Sequence, residues 1–147
     1  WDTRFSLMTI VLAGFGRDNV RQVATDAVTY AIDPAALEAA IADDLATGRV
    51  PCAVVASLGS TGVTAFDPID AIADICERHG VWLHADAAMA GSAMLLPECR
   101  HLFDGIERAD SIVGGALGVL TLIFLPTLYV TWFGGVPPAA AVAGEHG

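Results

Sequence analysis

The chain has 147 residues, 54% of them apolar, and a formal net charge of −10, a size that suits one compact domain. Its acidic balance leaves no basic stripe to neutralise phosphates, which excludes nucleic acid as a partner and suits a soluble cytoplasmic enzyme. Cys52, Cys76 and Cys99 are odd in number and form no C-x-x-C pair, so they are expected as reduced, mostly buried thiols rather than as a disulfide framework or a zinc ribbon.

Residues 1–4 show no signal-peptide pattern. Phe5, Met8 and Leu12 stand at helical spacing ahead of Gly14-Phe15-Gly16, which predicts a short helix with a glycine stop. Residues 20–23 then read as a short strand. Asp33-Pro34 is a start signal, a capping carboxylate followed by proline at the first helical position, and Leu37, Ile41 and Leu45 predict one apolar face before Gly48. Asp43-Asp44 belongs to the solvated side of that helix.

Residues 52–56 are continuously apolar, the pattern of a strand buried on both faces of a parallel sheet, and a small-residue loop, Leu58-Gly59-Ser60-Thr61-Gly62, follows. Asp67-Pro68 repeats the capping signal; Ile69, Ile72, Ala73 and Cys76 form the buried stripe, and Arg78-His79-Gly80 supplies cations and a glycine at the exit. A strand over residues 81–85 comes next. Strand, helix and strand at this spacing make a βαβ unit, whose ligands gather at the carboxyl ends of the strands. Ser60-Thr61 and Asp86 both fall at that edge.

From Gly91 the chain reads as irregular, with a further strand expected near Ala109-Asp110-Ser111-Ile112. Beyond it, no charged residue occurs between Asp110 and Glu145. Residues 112–133 are almost wholly apolar, a stretch long enough to span a bilayer, and residues 117–133 predict one helix kinked near Pro126.

His84-Ala85-Asp86-Ala87-Ala88 ends the second strand with a carboxylate among small residues. A carboxylate there can keep the nitrogen of a cationic heterocycle protonated, and small neighbours let a flat ring lie against the backbone. On its own, an aspartate ending a strand is more often a turn former. His79, His84, His101 and Cys99 fit no metal-site spacing, so no metal is expected.

An ordered series of motifs extends this reading: Asp33-Pro34, Pro51 through Thr61, Ala65-Phe66-Asp67-Pro68, His79 through Ser92, Asp104-Gly105-Ile106-Glu107 and Ala109-Asp110-Ser111. Over residues 3–112 the chain resembles the large domain of the group II pyridoxal-phosphate-dependent amino-acid decarboxylases, the aromatic-amino-acid branch above all. The resemblance implies an α/β fold with a mostly parallel sheet, a portion of the large domain of a fold-type I pyridoxal-phosphate enzyme. It further implies pyridoxal 5'-phosphate as cofactor, an amino-acid substrate and a homodimer. Asp86 would pair with the pyridine nitrogen, Ala88 would pack against the ring, and Thr61 and His84 would lie beside the pocket.

Two departures bear on activity. Arg4 stands where the family has a ring-stacking histidine, and Val113-Gly114-Gly115 replaces the family's Asn-Pro-His-Lys. All seven basic residues are arginines, so the amine that would hold the cofactor as a Schiff base is absent. No catalytic residue is therefore assigned, and the chain is expected to be inactive alone. Residues 114–138 are similar to the last transmembrane helix of resistance-nodulation-division efflux pumps. That likeness implies a junction near Val113 between a decarboxylase segment, residues 1–113, and a tail, residues 114–147, with membrane contact through 114–133. The competing expectation is a non-catalytic membrane-anchored protein, or a chimera with an efflux-pump transmembrane tail.

Overall fold

The computed structural model describes residues 14–114. The helices expected at residues 5–13 and 117–133 lie outside the described residues, as do Arg4 and the tail. Three strands, β1 (Ala53–Ser57), β2 (Trp82–Ala87) and β3 (Ser111–Gly114), form a parallel sheet in the order β1-β2-β3. Two helices, α1 (Pro34–Ala46) and α2 (Ile69–His79), share one core with it. The expected βαβ unit is β1, α2 and β2, and the strand expected near residue 111 is β3.

Helix α1 starts as the sequence dictates. Asp33 is its N-cap, with the carboxylate accepting the Ala35 N–H at 2.9 Å, and Pro34 opens the first turn. Leu37 and Ile41 are buried, but Leu45, expected on the same stripe, is 48% exposed. The buried stripe stops at Ile41, so the last turn projects into solvent. Asp43 and Asp44 receive Arg21 at 2.9 and 2.8 Å, which ties the preceding segment to this helix.

That segment corrects the strand expected at residues 20–23. It holds a 3-10 turn at Arg17–Asn19 and then runs without a ladder, its backbone pairing only at the isolated Thr25↔Ile32 bridge. Arg21 and Gln22 interrupt the apolar run, and no strand among the described residues pairs with it. Val23 and Ile32 pack partly on the core.

Helix α2 buries Ile69, Ile72, Ala73, Ile75 and Cys76 against the sheet. Its carboxyl end closes in a Schellman pattern: Gly80 is left-handed at φ 64°, Val81 N–H donates to the Cys76 carbonyl at 2.9 Å, and Gly80 N–H donates to Glu77 at 3.4 Å. Its start departs from expectation. The N-cap is Pro68 with no side-chain cap, because Asp67 turns its carboxylate into the core instead. Glu38 of α1 takes both Arg78 and His79, the latter through Nε2 at 2.6 Å. Arg108 bonds Asp70, Asp74 and Glu77 at 2.6, 2.6 and 2.9 Å, pinning the segment before β3 onto α2.

The strands are buried on one face rather than both. Val54 and Ala56 of β1 and Leu83, Ala85 and Ala87 of β2 face the helices. Ala53, Val55 and Ser57, with Trp82, His84 and Asp86, alternate onto an opposite face that is partly open. Both helices share the core on the first face, which leaves the second face without either of them. Of the thiols, only Cys76 is buried; Cys99 is half-buried and Cys52 exposed, against the expectation for most of them. Among the described residues no helix is long and apolar enough to cross a membrane.

Candidate functional site

Parallel register puts Val55 beside His84 and Ser57 beside Asp86, so the open face gathers polar groups toward the carboxyl ends of β1 and β2. Leu58 N–H donates to the Asp86 carbonyl at 2.8 Å, which extends the pairing past the end of β1. The loop that follows is closed on itself: Gly59 and Ser60 N–H both donate to the Ala65 carbonyl, at 2.9 and 3.0 Å, and Ala65 N–H donates to Ser60 Oγ at 3.0 Å. Thr61 rides exposed on that loop.

Asp86 is half-buried, and its Oδ1 accepts the Ala88 N–H at 3.1 Å. That is the turn-forming bond of an aspartate two residues ahead. Oδ2 makes no hydrogen bond among the described residues and remains open to another donor. Ala88 is exposed beside it. Thr61, Asp86 and Ala88, with Ser57, Gly59 and Ser60, line one open groove of about 1240 Å³. Three of the four residues expected at the cofactor are thus brought together.

His84 is the exception. It lies on the same face two residues before Asp86, but its Nδ1 is 2.8 Å from Ser111 Oγ on β3, and it does not line the groove. Trp82 Nε1 donates to the same hydroxyl at 2.9 Å, so Ser111 gathers two β2 side chains. Ser57 and Ser111 had no local signal for these contacts, and the signal at Asp67-Pro68 pointed to a helix cap, because their roles depend on strand register and burial.

Residues 9–116 match the family described as pyridoxal-dependent decarboxylase conserved domain. The chain belongs to this family. It is 46% identical over 105 residues to the aromatic-L-amino-acid decarboxylase of Catharanthus roseus, a stretch that makes up 71% of this chain and 21% of that protein. It is 52% identical over 99 residues to the cysteine sulfinic acid decarboxylase of Rattus norvegicus, covering 67% of this chain and 20% of the relative. Among solved structures, Oryza sativa TDC with PLP and tryptamine superposes with a TM-score of 0.69 at 46% identity, over 76% of this chain and 23% of that one. The chain therefore spans about a fifth of the length of the curated relatives it matches.

Against the family's pyridoxal cofactor, the residues present fit at the ring and not at the attachment point. The unbonded Asp86 oxygen suits a protonated ring nitrogen, and the exposed Ala88 leaves room for a flat ring beside it. The attachment point does not fit, since no lysine occurs in the chain.

Proposed function

We propose that this chain is the Asp86-bearing portion of the cofactor pocket of a pyridoxal-phosphate-dependent amino-acid decarboxylase of the aromatic-amino-acid type, and that by itself it is inactive. The observation that carries this reading is the groove that Thr61, Asp86 and Ala88 all line, with Asp86 beside Ser57 at the carboxyl ends of β2 and β1. When bound, pyridoxal phosphate supplies an electron sink for the carbon that loses its carboxylate. Asp86 holds a proton on the ring nitrogen, because a neighbouring negative charge favours the protonated form. Ala88 presents only a methyl group, so a planar ring can approach the backbone. Thr61 offers a hydroxyl from the β1 loop, whereas His84 is turned toward Ser111 of β3.

None of these groups is a nucleophilic amine. With no lysine, covalent attachment at a side chain is unavailable, and the cofactor can dock only through Asp86 and its neighbours. We read the phosphate-holding loop as lying outside these residues, with a homodimer as the working assembly. The purified chain should be incubated with pyridoxal phosphate, reduced with borohydride and mapped by mass spectrometry. The expected result is no stoichiometric pyridoxyl label and no carbon dioxide release from an aromatic amino acid. A full label on one residue together with carbon dioxide release would overturn the proposal.

A second reading is favoured by where the family match ends, at residue 116. On that reading residues 1–113 form a non-catalytic module, and the tail 114–147, uncharged up to Glu145 and with its efflux-pump likeness, is a membrane-contacting unit joined near Val113. Recovery of the whole chain in the soluble fraction without detergent counts against it.

A further inference from the structure

We infer that Asp67 is a positioning residue for the cofactor edge: its carboxylate clamps the end of β1 to the segment before α1 and so sets where Asp86 and Thr61 stand. The inference rests on the reading of Asp86 as a cofactor contact.

Asp67 is 7% exposed, a buried acid with no ion-pair partner among the described residues. A buried carboxylate needs a compensating set of donors, and this one has them from two directions. Oδ1 accepts the Ile32 N–H at 2.7 Å, and Oδ2 accepts the Ser57 N–H at 2.6 Å. The Asp67 N–H in turn donates to the Ser57 carbonyl at 2.9 Å. Ser57 therefore exchanges both of its backbone groups with one residue, in a closed ring.

From that ring the hydrogen bonds run on to the site. Leu58 pairs with Phe66 and donates its N–H to the Asp86 carbonyl; Asp86 Oδ1 then accepts the Ala88 N–H. The loop that carries Thr61 has Ser57 and Asp67 as its two ends, so the clamp also closes its base. Burial raises the Asp67 pKa, and the two N–H bonds pull it back, which is the balance of a carboxylate kept for its acceptors. Asparagine cannot substitute, because one end of an amide is a donor and would face an N–H. Helix capping does not explain the residue either, since α2 begins at Pro68 without a side-chain bond.

The test compares amide hydrogen exchange in the wild-type chain and in Asp67→Asn. The Ile32 and Ser57 amides should exchange at least about tenfold faster in the variant. Leu58 and Ala88, which bond Asp86 and not Asp67, should accelerate with them, while Leu83, bonded to Asp110, should not. Unchanged exchange at Leu58 and Ala88 overturns the inference. If Asp67→Asn does not fold, the wild-type chain decides in sub-denaturing urea. There the Ile32, Ser57, Leu58 and Ala88 amides should open as one unit, and separate openings overturn the claim.

Pyridoxal phosphate titration, followed by absorbance, adds a readout that a purely structural role would not move. Asp86→Ala and Asp67→Asn should both weaken binding, and Asp67→Glu, which keeps a carboxylate, should restore some of it. Weakening by Asp86→Ala alone overturns the clamp and spares the proposed function. Weakening by neither overturns the proposed function and leaves the clamp to the exchange data.

Discussion

Gly59 is the point where the loop leaving β1 meets the turn leaving β2, and its replacement by alanine tests whether the two are as close as the edge requires. An added Cβ would lie 2.4 Å from the Ala90 Cβ and 3.5 Å from the Ala90 Cα and N. Carbon atoms rest at about 3.5–4.0 Å, so the overlap is about 1 Å, and a methyl group has no flexible end that could swing aside. Gly59 also sits at φ +79°, where an L side chain costs about 1–2 kcal/mol. Adding about 1–3 kcal/mol for overpacking gives a destabilisation of about 2–5 kcal/mol for Gly59→Ala. Gly48→Ala is the control: its φ is +80° and nothing lies within 4 Å of the added Cβ, so only the conformational cost applies. Urea unfolding followed by circular dichroism should place Gly59→Ala about 1–3 kcal/mol below Gly48→Ala at equal m-value. In an Ala90→Gly background that excess should vanish, because the colliding methyl group is gone. Equal costs at the two glycines, or no relief from Ala90→Gly, would refute the close approach and with it the geometry argued for the edge.

The Glu38 carboxyl is held below its ordinary range by His79 first and Arg78 second, so its contribution to stability is present above its ordinary value of 4.5 and is lost as the pH falls through the lower folded value. The melting-temperature gap between the wild-type chain and Glu38→Gln should therefore be open near neutral pH and close in acid; a gap that is flat with pH counts against the interhelical pairing. Cys76 is pushed up to about 11 by burial, with the Asp110 and Glu77 charges adding to it, whereas Cys52 is exposed. Iodoacetamide at mildly alkaline pH should label Cys52 and leave Cys76 intact in the folded chain, and early labelling of Cys76 would show that α2 does not seal its face of the sheet.

Elements whose signals are local were legible in the sequence. Helix α1 follows from Asp33-Pro34 and the Leu37–Ile41 spacing, and the end of α2 follows from Gly80. Asp86 at the end of an apolar run was legible for the same reason, and Thr61 for its place in a small-residue loop after the preceding strand. What required the structure was nonlocal. Continuous apolarity in β1 predicts two buried faces, yet burial depends on which faces the helices cover, and both share the core on one side. His84 was expected beside the pocket, but Ser111, 27 residues onward, takes its imidazole toward β3.

Asp33-Pro34 and Asp67-Pro68 show most clearly where local reading ends. The dipeptide is the same, and only the first caps a helix. The difference lies in what each carboxylate can reach. Asp33 stands exposed and bonds the Ala35 N–H in the first turn of its own helix. Asp67 meets two N–H groups, from Ser57 ten residues earlier and Ile32 thirty-five earlier, that burial would otherwise strand. Leaving a buried N–H unpaired costs about 1–3 kcal/mol, whereas a missing helix cap costs about 1 kcal/mol. The carboxylate therefore goes to the core, and α2 stands without a cap because its buried isoleucines and its Schellman close hold it in place.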